Sequence, residues 1–130
     1  MTPDEAVKFL KSFTEASYEW KDTHVDIIVR AKGRCEYCDE DLLKSDSAFF
    51  SSEWEHIDPQ GKFTSQNIAL SCKRCNGLKS DDLPNNMTRE QFVALDRAPK
   101  IQRIREWLRD RIVQRKQREI VEALRALAEA

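Results

Sequence analysis

Long apolar runs are missing from this chain: no stretch approaches the ~20 residues that a bilayer-spanning helix requires. The segment "MTPDEAVKFLKSF" lacks the basic-then-apolar order of a secretory leader, so the expected setting is cytoplasmic, without a membrane. Glycine (3), proline (4) and aromatic residues (8%) are scarce, and there is no low-complexity linker. A length of 130 residues suits one modest domain, and 40% apolar against 35% charged residues suits a small core. A net charge of -1 excludes a protein that is basic throughout, but it hides an asymmetry. Residues 1–96 hold 12 Lys/Arg against 18 Asp/Glu, whereas residues 97–130 hold 10 against 5. Charge alone therefore points to a polyanion only for the C-terminal part.

What is present is concentrated in the cysteines. All four fall in two pairs of equal spacing, "CEYC" (Cys35, Cys38) and "CKRC" (Cys72, Cys75). Two disulfides do not fit a reducing compartment, and a redox dithiol would explain one pair and leave the other idle. Four thiolates turned onto one tetrahedral ion account for both pairs, which reads as a structural zinc site. The intervening loop is long for a simple zinc finger, so the metal is expected to clamp the base of a larger element.

Local patterns supply the elements. Thr2, Pro3 and Glu5 mark a helix start, and Ala6, Val7, Phe9, Leu10, Phe13, Ala16 and Trp20 predict one apolar face over about five turns. "THVD" predicts a second helix capped by Thr23, with Asp26 in its first turn and Gly33 as its stop. "SAFFSSEWEHI" alternates and reads as extended; after a turn at Pro59 and Gly61, "FTSQNIAL" gives a second extended segment, with Ile57 and Ile68 as inward anchors. "NGLKSDDL" suits one or two helical turns, and Thr88 with Gln91 makes a capping box for a helix to about Leu95. The last segment, from Pro99 onward, carries Ile101, Ile104, Leu108 and Ile112 in one stripe and Ile120, Leu124 and Leu127 in another. Between the stripes "QRKQRE" has no apolar residue, so the helix leaves the core or bends there.

Between the cysteine pairs the residues run Glu55-His56, Pro59, Gly61, Asn67, then "LSCKRCN" with Asn76, then Lys79. In this order they resemble the HNH endonuclease family in its zinc-knuckle subclass; the resemblance covers residues 25 to about 80. It implies an α+β fold with a ββα-metal core (33–80) clamped by a zinc site of four cysteines; the local patterns set that core in a unit 1–87 with N-terminal helices, followed by a helical extension 88–130. It implies a metal-dependent hydrolysis of phosphodiester bonds in DNA, with RNA left open. His56 would be the general base, Glu55 and Asn76 the ligands of a catalytic Mg²⁺ or Mn²⁺, and Asn67 the residue tying the β-loop together. Lys79 would steady a phosphate.

Histidine suits the base because its ordinary pKa of about 6.5 lets it accept a proton near neutrality. Carboxylate and amide oxygens suit a hard divalent ion. The chain departs from the commoner pattern in having Glu where Asp is more frequent and Asn as the last ligand. Glu53, one strand repeat from Glu55, and Ser80, past Asn76, are lesser candidates, and His24 reads as a polar residue of a first helical turn. The basic series from Arg97 to Arg118 would follow a phosphate backbone or, equally, form a solvated face paired with Glu106 and Asp110. Two other readings stay open: a zinc-binding interaction module that cuts nothing, and a nuclease subunit acting only with a partner protein. A homodimer or partner contact would use the C-terminal helix.

Overall fold

The computed structural model describes residues 1–13 and 19–130. Among them the chain forms α1 (Pro3–Lys11), α2 (Asp22–Ala31), α3 (Asp46–Phe50), β1 (Glu53–His56), β2 (Ile68–Ser71), α4 (Lys73–Lys79), α5 (Arg89–Val93), α6 (Arg97–Gln114) and α7 (Gln117–Ala128).

Thr2 caps α1 as its sequence predicts, accepting from the Glu5 N–H at 3.2 Å. The helix is shorter than its apolar spacing suggests: Ser12 closes it, and the Ser12 hydroxyl donates to Phe9 O, drawing the backbone out of the helical ladder. Ala16 lies outside the described residues. Trp20 instead joins a second, aromatic cluster, stacked on Phe49 and edge-on to Trp54. In α2 the helix begins at Asp22 and not after a Thr23 cap, because His24 Nδ1 accepts from the Lys21 N–H at 3.0 Å. Its end is as expected: Lys32 adopts the left-handed conformation (φ 55°) and Gly33 follows at φ 71°.

The stretch "SAFF" is helical, not extended. Ser45 caps it by accepting from the Ala48 N–H at 3.1 Å, and a local cap of this kind outweighs an alternating aromatic pattern too short to pair. The hairpin forms as predicted, β1 antiparallel to β2 with Glu55 opposite Ala69 and His56 opposite Ile68. Ile57 and Ile68 are fully buried, and all four residues of β2 are enclosed. Immediately after β2, Cys72 caps α4, so hairpin and helix make one ββα unit.

The first cysteine knuckle docks on β2 through Glu36. Its N–H donates to Leu70 O at 2.8 Å, and its carboxylate accepts from the Leu70 N–H at 2.8 Å. The same carboxylate pairs with Arg30 of α2 and Arg97 of α6, both of which also donate to Ile68 O. Phe92, Ile104 and Leu108, from α5 and α6, fill the same core as Ile27 and Leu42. Thr88 and Gln91 close the predicted capping box of α5. The long C-terminal helix breaks where apolar residues run out: Lys116 takes φ 52°, and α7 continues with Ile120, Leu124 and Leu127 exposed.

Candidate active site

The four sulfurs come from the two knuckles, the first after α2 and the second at the start of α4. They lie within 4.8 Å of one another, with Cys38 and Cys72 Sγ 3.7 Å apart. A tetrahedral ion with sulfur at about 2.3 Å needs sulfur–sulfur edges of about 3.8 Å, so the cluster already has the dimensions of a four-thiolate metal site. Three of the four side chains are buried and none is in a disulfide. The cysteine cluster joins the end of α2 to the junction of β2 and α4, at the base of the loop.

Across the ββα unit, β1 and α4 face one another over a cleft of about 350 Å³ lined by Glu53, Trp54, Glu55, His56, Pro59, Asn76, Gly77, Ser80 and Asp81. The structure thus brings Glu55, His56 and Asn76 together. His56 is half-buried; its ring meets Phe63 edge-on at 5.9 Å, and its ring nitrogens carry no hydrogen bond among the described residues. A half-exposed imidazole with free nitrogens can take a proton from a water in the cleft.

Asn67 holds the loop that follows. Its Oδ1 accepts from the Asp58 N–H (2.9 Å), its Nδ2 donates to Asp58 O (3.0 Å) and Lys62 O (3.1 Å), and its backbone O accepts from the Ile57 N–H (2.7 Å). Gly61 has to be glycine for this arrangement, because a Cβ there would overlap the Asn67 amide. Asp58 is fixed further by Arg89 at 2.6 and 2.9 Å, and the guanidinium holds its carboxyl below the ordinary range.

Glu55 is the buried carboxylate of the cleft, where Glu53 and Asp81 are exposed. Its side chain is 5% exposed, with Oε1 2.7 Å from Lys79 Nζ and Oε2 accepting from the Tyr37 hydroxyl. Burial raises its pKa above the ordinary value, outweighing the lowering by Lys79 and the Tyr37 bond. Burial, then the Glu55 charge, pushes the Tyr37 phenol well above its own usual value, so the hydroxyl stays a donor.

Lys79 corrects an expectation. It is fully buried, paired to Glu55 and donating to His56 O at 3.1 Å, so its ammonium presents no surface to a phosphate. The reason is its place on the inward face of α4, three residues after Asn76, where the buried carboxylate requires a counter-charge. His24 sits among Trp54, Trp20 and Phe63 with its pKa lowered by burial and by Lys21.

Several residues escape sequence reasoning. Tyr37 is hidden inside a knuckle whose cysteines draw the eye. Asp81 lies just past the helix, brought to the rim by the unusual backbone of Ser80 (φ 52°). Part of the basic series is structural: Arg97 pairs with Glu36, Arg105 with Asp39 and Arg111 with Asp82.

The cleft is lined by donors of the kind a hard cation takes, whereas among the described residues the four cysteines alone form a group of three or more Cys, His or acidic side chains close enough to share an ion. Glu55, Asn76, Glu53 and Asp81 offer only oxygen ligands, of the type Mg²⁺ and Mn²⁺ prefer, and each Glu55 oxygen keeps a lone pair beyond its bond to the protein. Among the described residues no helix is long and apolar enough to cross a membrane. Residues 35–82 match the family model described as HNH endonuclease. No curated protein and no solved structure matches the chain.

Proposed function

We propose, from the match of residues 35–82 to the HNH endonuclease model, that the chain is a metal-dependent endonuclease hydrolysing phosphodiester bonds in DNA. The observation that carries this reading is the convergence of His56, Glu55 and Asn76 on one cleft, with Asn67 bracing the loop behind the histidine. His56 acts as the general base that takes the proton of the attacking water. Lys79 and Asn67 hold it in place by gripping the peptide that follows it, at His56 O and Ile57 N–H. Glu55 and Asn76 hold Mg²⁺ or Mn²⁺, which when bound supplies positive charge against the scissile phosphate. The carboxylates of Glu53, Glu55 and Asp81 would otherwise repel a polyanion from the cleft, which is why the reading needs a cation there. The four cysteines hold structural zinc, and the protein works in the cytoplasm.

The exposed stripe of Ile120, Leu124 and Leu127 on α7 favours a second element of the reading: the nuclease joins a second copy or a partner protein through this helix. The experiment is cleavage of supercoiled plasmid by wild type and His56→Ala, with Mg²⁺, with Mn²⁺ and with EDTA, at equal zinc content. Cutting by wild type alone, abolished by EDTA, is the expected result. Equal behaviour of the two proteins would remove His56 as the base, and DNA binding without cutting would favour a zinc-dependent binding module.

A further inference from the structure

The cleft has one feature that folding alone does not explain. Gly77 lies inside α4, where glycine is less favourable than any ordinary residue except proline. Its backbone is not the cause, because Gly33 is the only glycine with positive φ. Packing is not the cause either: a Cβ at Gly77 would meet nothing within 4 Å, whereas one at Gly33 or Gly61 would collide with a neighbouring side chain. The protein therefore keeps a bare helix surface at a point that is exposed, lines the cleft and directly follows Asn76.

The surroundings indicate what that surface meets. One helical turn before Gly77, on the same exposed face of α4, stands Lys73, whose ammonium has no ion-pair partner among the described residues. A free cation, a bare backbone and then the mouth of the cleft form a path that a polyanionic strand can follow at close range. Resting on the nuclease reading, we propose that Gly77 is a substrate-contact residue: the sugar–phosphate backbone of the cut strand crosses α4 in van der Waals contact with its Cα. A side chain there would lift the strand away from His56.

Gly77→Ala and Gly77→Leu separate this from a structural role, since both replacements are better helix formers. Both variants are expected to melt at least as high as wild type, by up to about 5 °C higher for a domain of this size, and to keep their zinc. Plasmid cleavage is nonetheless expected to fall roughly tenfold for Ala and a hundredfold or more for Leu. Duplex oligonucleotide affinity, read by fluorescence anisotropy with Ca²⁺ in place of Mg²⁺ and with the zinc kept, is expected to weaken in the same order. Cleavage and binding unchanged in both variants, with wild type cutting and His56→Ala inactive, would overturn the contact and leave the nuclease standing. Wild type that binds but does not cut would remove the nuclease reading, and weaker binding by Gly77→Leu would still support the contact. Wild type that neither binds nor cuts would overturn both.

Discussion

Replacing Lys79 by methionine keeps the aliphatic stem in its buried slot and removes only the ammonium. Glu55, 5% exposed, is then left with the Tyr37 hydroxyl as its remaining donor. Breaking a buried ion pair on one side typically costs about 3–5 kcal/mol. The carboxylate can limit that cost by taking up a proton. At pH 7, well above the unfolded pKa of about 4.3, holding it protonated costs roughly 3.7 kcal/mol. Loss of the bond to His56 O adds about 1 kcal/mol. The sign of the pH dependence follows: the folded variant binds one proton more than its unfolded chain, so its stability falls as pH rises, by about 1.4 kcal/mol per pH unit. The proton-linked part of the deficit therefore grows from roughly 2 kcal/mol at pH 6 to roughly 5 kcal/mol at pH 8. Urea unfolding of the zinc-loaded proteins, followed by tryptophan fluorescence at pH 6, 7 and 8, measures it. Adding Glu55→Gln should flatten the slope, because no carboxylate remains to titrate. A Lys79→Met protein within about 1 kcal/mol of wild type at pH 8, or a deficit independent of pH, would refute the reasoning. So would intact stability with weakened DNA binding, which is what a surface phosphate contact would give.

The remaining predictions concern the metal clamp and the second helix. Stripping the metal with a chelator, or replacing Cys38 by Ser, should abolish cooperative thermal unfolding of the core, with a metal analysis giving about one zinc per wild-type chain; an apoprotein melting like the loaded one would contradict a structural site. His24 should titrate below its ordinary value of 6.5, and the Lys21 amide resonance should move with the same midpoint, because only an unprotonated Nδ1 can accept from it. Since the unfolded chain takes this proton first, the His24 contribution is intact above pH 6.5 and is lost as pH falls through that range; a midpoint above 6.5 would reverse the sign.

What could be read from the sequence was whatever is local. The capping box of α5 needs only Thr88 and Gln91, three residues apart. The hairpin anchors Ile57 and Ile68 stand out as apolar residues beside a turn. Paired cysteines of equal spacing declare a shared cluster whatever the fold between them. The failures share a different cause. Lysine is rarely fully enclosed, so nothing in "NGLK" tells that Lys79 turns inward; the reason lies on β1, in a carboxylate more than twenty residues away. Tyr37 and Glu36 were unreadable on the same ground, since their partners, Glu55 and the edge of β2, belong to another part of the chain. "SAFF" misled because its pattern is four residues long and a single serine hydroxyl at Ser45 decides its conformation.

The Tyr37 contact has a consequence for the order in which this protein matures. The hydroxyl that steadies Glu55 is carried by the residue beside Cys38, and the neighbouring Glu36 fastens that knuckle to β2. On the reading of a four-thiolate zinc site, a chain without the metal would lack both that donor to the carboxylate and the brace on the strand. On the proposed nuclease reading, a newly made chain would stay inert until the event that completes its folding has also set Glu55 in place.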